Sequence, residues 1–329
     1  MRGAAHRPAD AGLPASLPSQ TAAAPKMRAR LILNGKKADR SDVRAAVMQL
    51  RASGHELEVR VTWERGDAAR LVAEAAREGI ERVIAGGGDG SVNEVAAGLM
   101  AVDASARPAL GILPLGTAND FATACRIPVD AAAALALAVT AAPVAVDLGQ
   151  ANGSVFANVA AGGFGAAVTA ETPVELKNFL GGGAYTIMGL LKAIDFRPYA
   201  CGITTPAGAV EGSVVVGAIC NGRQAGGGQP LAPEALIDDG LLDVVFLRPF
   251  PVARAAQAAA EFMGRVPPGE FVVRIRVPWI EVEARDPLPI NLDGEPIHER
   301  RVRFAALPGC LRLALPPDCP CLTRPPVAR

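Results

Sequence analysis

An α/β domain joined to an antiparallel all-β domain is what this sequence predicts, on three observations. Strand-like and helix-like segments alternate at short spacing from Arg28 to Ala142, which argues for a parallel sheet covered by helices on both faces. Beyond Val144 the texture changes to short β-type segments separated by glycine and proline turns, the pattern of a sandwich or barrel. Two polar, glycine-containing loops then fall where the carboxyl ends of the parallel strands should lie, the edge at which such sheets bind ligands.

In the first domain, Leu31–Leu33 reads as a strand, Asp42–Ala52 as a helix closed by Gly54, Glu56–Thr62 as an alternating strand, and Asp67–Arg77 as a helix closed by Gly79. Arg82–Ala85 reads as a strand running into a glycine loop and then a helix through Met100. Ala109–Leu113 is another buried strand, and the alanine-rich stretch Asp130–Ala142 is a helix stopped by Pro143. The β segments that follow are Val144–Asp147, Val155–Asn158, Val214–Cys220, Leu242–Leu247, Phe271–Val277, Ile280–Ala284, Arg301–Phe304 and Cys310–Ala314, with helical stretches near Val174–Phe196 and Pro251–Met263. The expected organisation is a disordered Ala/Pro/Ser-rich extension over 1–26 with Met27 as the start, an α/β domain over 27–146, a β domain over 147–315 and a tail over 316–329.

Composition excludes several classes of function. Lysine plus arginine and aspartate plus glutamate balance at 33 each, so no global field draws the chain to nucleic acid. The longest apolar run, Ala131–Val146, contains Thr140 and Pro143 and falls short of the roughly 20 residues of a membrane span, so a soluble protein is expected. Cysteines at 125, 201, 220, 310, 319 and 321 show no zinc-knuckle spacing and are expected to stay reduced in a cytoplasmic setting. Three scattered histidines make no metal cluster, and neither Ser154 nor Cys220 has an evident base partner in sequence, which argues against a nucleophilic hydrolase.

The most informative stretch is Val83-Ile-Ala-Gly-Gly-Gly-Asp-Gly-Ser-Val-Asn-Glu94. A buried strand that empties into glycines and a helix start builds a seat for phosphate, because backbone N–H groups can approach an anion and the helix dipole favours it. Asp89 inside that loop would repel phosphate unless a cation lay between them, which points to a Mg-nucleotide. The same residues also suit an ordinary capping box of Ser91 with Glu94 at a tight turn. The loop lacks the Gly-Lys-Ser/Thr ending of a P-loop and the third glycine of the dinucleotide fingerprint.

Other segments gain meaning beside it. Pro114–Phe121 is a second polar loop on the same expected rim. Asn291-Leu-Asp-Gly-Glu-Pro296 is a hairpin turn by default, but Pro296 would fix the chain after Glu295 and aim that carboxylate as a general base. Ala235–Asp243 holds acids in a tight turn that is either solvated or part of an oxygen-ligand cation site. The glycine-rich pieces 162–165, 181–183 and 226–228 read as lids or close backbone crossings with no chemistry assigned.

Assembled in order, Gly86–Glu94, Pro114–Phe121, Asp239-Gly-Leu-Leu-Asp243 and Asn291–Pro296 resemble the diacylglycerol-kinase catalytic family over about residues 30–321, most nearly its bacterial lipid kinases. Val61–Arg70 and Asn221–Gln229 extend the likeness, and Ser91 departs from the more usual threonine while keeping the hydroxyl. The resemblance implies a three-layer α/β nucleotide domain related to NAD kinases, a C-terminal β-sandwich and ATP in the cleft between them. Carried over by position, Thr62, Gly88, Asp89, Gly90, Ser91, Val92, Asn93, Glu94 and Thr117 would contact ATP. Leu236 and Leu241 through carbonyls, with Asp239, would hold magnesium, calcium being the alternative ion. Glu295 would accept the proton, with Asp89 and Asp120 orienting the nucleotide and its metal.

The function so implied is transfer of the ATP γ-phosphoryl group to a glycerolipid hydroxyl, diacylglycerol- or phosphatidylglycerol-like, by a cytoplasmic enzyme that contacts the inner membrane surface transiently and binds no nucleic acid. The alternatives are an NAD or soluble small-molecule kinase and a non-catalytic nucleotide- or lipid-binding regulator. The sequence does not name the lipid or the oligomeric state.

Overall fold

The computed structural model describes residues 27–163, 198–262, 264 and 266–323. The expectations for residues 1–26, for the whole of the helical stretch 174–196, for Phe164, Gly165 and Gly181–Gly183, and for the last six residues of the tail lie outside the described residues.

The first domain opens with β1 (Arg28–Asn34), α1 (Ser41–Ala52), β2 (Glu56–Thr62), α2 (Asp67–Arg77), β3 (Arg82–Gly87), α3 (Asp89–Met100) and β4 (Ala109–Pro114). A short α4 (Asp120–Ala124) and α5 (Ala131–Thr140) follow. The strands are parallel in the order β4-β3-β1-β2, with Leu31 opposite Val59 on one side and Ile84 on the other. Strand alternation sends neighbouring residues to opposite faces. Leu31, Leu33 and Ile84 pack with Val47 and Leu50 of α1 and Leu135 and Ala138 of α5. Ile32, Val83 and Ala85 pack with Leu71 and Val72 of α2 and Val95 and Leu99 of α3. The helix–sheet–helix layering and the β-sandwich that follows match the predicted fold class.

The second domain comprises β5 (Pro143–Ala151), β6 (Ser154–Phe156), β7 (Val159–Gly163), β8 (Tyr199–Thr205), β9 (Gly208–Val214), β10 (Val216–Cys220), the two-residue strands β11 (Gln224–Ala225) and β12 (Gln229–Pro230), β13 (Leu242–Leu247), α6 (Ala255–Phe262), β14 (Val272–Val277), β15 (Trp279–Leu292) and β16 (Glu295–Ala314). Strands β7, β10, β13 and β14 run antiparallel. Ile219, Val244 and Phe246 face one core, while Ala218, Val245 and Leu247 face another closed by Ala258 and Phe262 of α6. Gly162 and Gly163 lie within β7, as strand residues and not as a lid.

Two differences from the sequence reading matter for the site. Ile280–Ala284 is only part of a 14-residue β15, and the expected separate strands 301–304 and 310–314 are one 20-residue β16. The apparent breaks are register shifts, between Glu283 and Leu288 and between Leu307 and Leu311, where proline or glycine interrupts the pattern without ending the strand. The first half of β16 pairs with β15 in the sandwich and the second with β5, while Leu313 pairs with Leu110 of β4. One 14-stranded sheet therefore runs through both domains. Residues 316–323, grouped with the tail, instead pack inward: Cys319, Cys321 and Leu322 are buried in the core behind α3 and α4, because the chain still carries apolar side chains there.

Candidate active site

Every residue of β3 is buried, and the strand delivers the chain to Gly88, the N-cap of α3, which has no side chain to cap the helix. The first-turn amides of this 12-residue helix thus keep their capacity for an anion. Ser91 does not cap the helix: α3 begins at Asp89, so Ser91 falls inside the first turn, where its hydroxyl accepts from Asn34 Nδ2 at 3.1 Å. Asn34 ends β1 opposite Thr62 at the end of β2. The ends of three strands thus gather Asn34, Thr62 and Gly88–Ser91 on one edge. Val92 and Asn93 follow, both buried, and Asn93 Oδ1 has no hydrogen-bond partner among the described residues.

The second loop presses on the first. A Cβ on Gly116 would lie 2.5 Å from Gly88 Cα, so position 116 admits no larger residue, and a Cβ on Gly88 would meet Gly116 Cα tightly at 3.2 Å. Asn119 folds this loop by accepting from Gly116 N at 2.7 Å and donating to Gly116 O at 3.0 Å, leaving Thr117 exposed. Asp89 was expected inside the phosphate cradle, facing a cation. Both its oxygens are instead engaged by backbone amides, Asp120 N at 3.1 Å and Phe121 N at 3.0 Å. The start of α4 has orphan N–H groups, and a carboxylate is the strongest available cap.

Asp120 continues the chain of bonds into the other domain. It is buried, and it accepts from Gly227 N at 2.9 Å and Gly228 N at 2.6 Å. Gly226, Gly227 and Gly228 all have φ between +67° and +96°, a run that only glycine adopts readily, and it turns successive amides toward one anion. The triplet left without chemistry in the sequence is therefore a clasp between domains. Burial and the charge of Asp89 raise the Asp120 carboxyl above its ordinary range, against the two amides.

Asp293 is the third such acid. From a left-handed turn position, φ 49°, it accepts from Ala157 N at 2.7 Å, Asn158 N at 2.8 Å and Val159 N at 2.8 Å. Burial and Asp89 push it up to about 6, while the three amides pull the other way. These bonds fix the β15–β16 hairpin over α3: a Cβ on Gly90 would stand 3.7 Å from the Asp293 carbonyl oxygen. Two residues on, Glu295 begins β16 with its side chain half-exposed and bonded to Arg65 Nη2 at 2.8 Å. Glu94, on α3, is raised above its ordinary range by burial and by the charge of Glu295, an effect Arg65 moderates. Thus Glu295, Glu94 and Arg65 share one edge of the cleft.

The predicted metal residues form a separate turn. Asp239 Oδ1 accepts from Leu241 N at 3.0 Å and Oδ2 pairs with Arg276, which also meets Asp243 at 3.3 Å. The buried Asp147 receives Gly240 N at 2.6 Å and Gly309 N at 2.7 Å. Burial raises both Asp147 and Asp243, and the charge of Asp239 adds to it. The surplus of negative charge in this turn could hold a hard cation at Asp239, in place of Arg276, which pairs with that carboxylate here.

Two family models cover most of this chain: the diacylglycerol kinase catalytic domain over residues 28–151 and the YegS C-terminal NAD kinase β-sandwich-like domain over residues 157–315. The chain belongs to the YegS-like lipid kinases of the diacylglycerol-kinase family. A Shewanella frigidimarina protein named "Probable lipid kinase YegS-like" is 47% identical over 301 residues, 91% of this chain and 97% of that one. A Chromohalobacter salexigens protein of the same name is 50% identical over 287 residues, 87% of this chain and 92% of that one. A Bacillus anthracis structure described as "A putative diacylglycerol kinase" superposes with a TM-score of 0.74 at 26% identity, covering 89% of this chain and 98% of that one. YegS-like lipid kinases are phosphotransferases, and the family implies ATP as donor. The uncapped helix start and the glycine-to-glycine contact suit a phosphate group at this edge. Among the described residues no helix is long and apolar enough to cross a membrane.

Proposed function

We propose that this protein transfers the γ-phosphoryl group of ATP to a hydroxyl of a glycerolipid, diacylglycerol- or phosphatidylglycerol-like, with Glu295 as the proton acceptor. The observation that carries the reading is the hairpin bound over α3, which puts a half-exposed carboxylate beside the helix start that suits phosphate. In the reaction the hydroxyl oxygen forms a bond to the γ-phosphorus as its proton passes to Glu295, and the bond to the bridging oxygen of ADP breaks. Amides at Gly88–Ser91 oppose the phosphate charge, and Thr62, Val92, Asn93, Glu94 and Thr117 complete the donor's surroundings. Arg65 orients Glu295 before the alcohol arrives. Magnesium, when bound with the nucleotide and at the Asp239 turn, supplies charge neutralisation. Asp89 and Asp120 act as positioning residues, since their oxygens are held by backbone amides.

Two features support a lipid acceptor. A small cavity in the sandwich has an apolar wall that includes Ile219, Phe246, Leu288 and Ile290, the last lying on the strand that leads to the Asp293 turn. Trp63, beside Thr62, is 92% exposed, and an indole with Arg65 next to it suits the headgroup level of a membrane. The test is transfer of labelled γ-phosphate to a lipid panel in mixed micelles with Mg2+, alongside NAD and soluble alcohols. A labelled glycerolipid supports the proposal; labelled NAD or soluble alcohol alone removes the lipid assignment; no labelled product with intact ATP binding favours a non-catalytic regulator.

A further inference from the structure

Cysteines that show no metal-binding spacing in the sequence meet in the fold. The Sγ atoms of Cys125, Cys319 and Cys321 all lie within 4.8 Å of one another, and all three residues are buried and free of disulfides. Cys125 is the residue that ends α4; the other two come from the segment after β16, which runs back across the first domain. Among the described residues this is the group in which three metal-capable side chains come so close.

The backbone around the thiols is already fixed. Cys319 N donates to Pro316 O at 3.1 Å, and Cys321 O receives Ile237 N at 2.9 Å. Arg223 binds the Pro320 carbonyl and donates to Ala235 O at 2.9 Å, while Thr323 donates twice to Asp238 at 2.8 Å. The sulfurs therefore need only side-chain rotation to close on an ion: three thiolates at about 2.3 Å from a metal stand about 4 Å apart. The Ala124 carbonyl oxygen, which accepts from Cys321 Sγ at 3.2 Å, is a candidate fourth ligand once that thiol gives up its proton.

Charge and softness select the ion. Three thiolates prefer a soft or borderline cation over magnesium or calcium. A divalent ion leaves one net negative charge at the site, which the nearby Arg223 guanidinium offsets, whereas a monovalent ion leaves two in a buried place where unpaired charge is costly.

We propose that Cys125, Cys319 and Cys321, with the Ala124 carbonyl, form a closed structural site for one thiophilic divalent cation of the zinc type. The site ties the C-terminal segment to the end of α4, the helix whose start carries Asp120 and its grip on Gly227 and Gly228. It stands independently of the phosphoryl-transfer reading, because its readouts are metal content and spectrum.

The test uses the full chain, reduced, exposed to Zn2+ and freed of excess by gel filtration, followed by elemental analysis. Expected is about one zinc per chain in the wild type and none in Cys125→Ser or in Cys319→Ser/Cys321→Ser, with a zinc-dependent rise in Tm confined to the wild type. Should the variants fold poorly, Co2+ added to wild type decides alone: thiolate-to-cobalt charge-transfer absorption supports the site. Failure of wild type to retain zinc or show that absorption, with all six thiols titrating after denaturation, overturns the proposal and leaves three packed thiols. A disulfide among the three, seen by mass after alkylation, overturns it too.

Discussion

Two sets of acids line the same cleft and differ in what holds them. Asp89, Asp120 and Asp293 present their oxygens to backbone amides of other segments. Glu295 and Glu94 instead share the exposed Arg65 guanidinium, and no described backbone amide donates to Glu295. A carboxylate bonded to fixed amides cannot move without breaking the loops it joins. One held by a flexible surface arginine can exchange that partner for an alcohol. The first set ties loops of both domains together, and the second can change partner.

The sharpest break of this comparison is Glu295→Gln. Transfer to lipid is expected to fall by about 10²–10⁴-fold with Tm unchanged; wild-type turnover in this variant would remove Glu295 from the mechanism. Asp293→Ala is expected to do the reverse in kind: it orphans the amides of Ala157, Asn158 and Val159, and each buried unpaired amide costs about 1–3 kcal/mol. Denaturant unfolding reads this as a lower midpoint, and a fully stable variant would sink the structural role of Asp293.

The pH dependence sharpens the same point. Asp293 is pushed up to about 6 in the fold, from an ordinary value of about 3.9 in the unfolded chain. Its contribution to stability is therefore fully present below about 4 and is lost as pH rises through about 6. The Tm advantage of wild type over Asp293→Asn should fall across that window and level off above it; a flat difference would mean that the amides offset burial, and a growing one that they outweigh it. Asp239→Ala should raise the magnesium concentration needed for half-maximal transfer, and an unchanged titration would return the turn to a solvated one. The smallest effect belongs to Trp63→Ala, expected to weaken binding to anionic vesicles while leaving transfer to a micellar short-chain lipid near wild type.

Much of this was legible in sequence. Asp67–Arg77 and Glu56–Thr62 are found with the bounds read from periodicity, because each carries its own apolar rhythm and the helix has a glycine stop at Gly79. β8 and β9 were not: Gly208–Val214 is exposed almost throughout and shows no alternation to detect. The loops at Gly86–Gly90 and Pro114–Phe121 were placed on one rim correctly, but the role of Asp89 was not, since its partners lie in a second loop about 30 residues away. Asp293 could have been suspected from an acid before glycine in a hairpin. The Asp120 clasp could have been suspected from three consecutive glycines. The meeting of Cys125 with Cys319 and Cys321 could not, because nothing local marks a contact between residues nearly 200 apart.

The long strand β16 has a consequence for how the protein is made. Its last residues complete the edge of a sheet whose other strands are synthesised first: Leu313 pairs with Leu110, and Ala314 with Pro143. While the chain is being translated, β5 must wait for about 160 further residues and β4 for about 200 before that edge is covered, and an uncovered strand edge is a template for pairing with a neighbouring chain. Late closure of contacts so distant in sequence makes completion of this sheet edge a post-translational event, and it makes nascent or truncated chains ending before Leu311 candidates for chaperone capture.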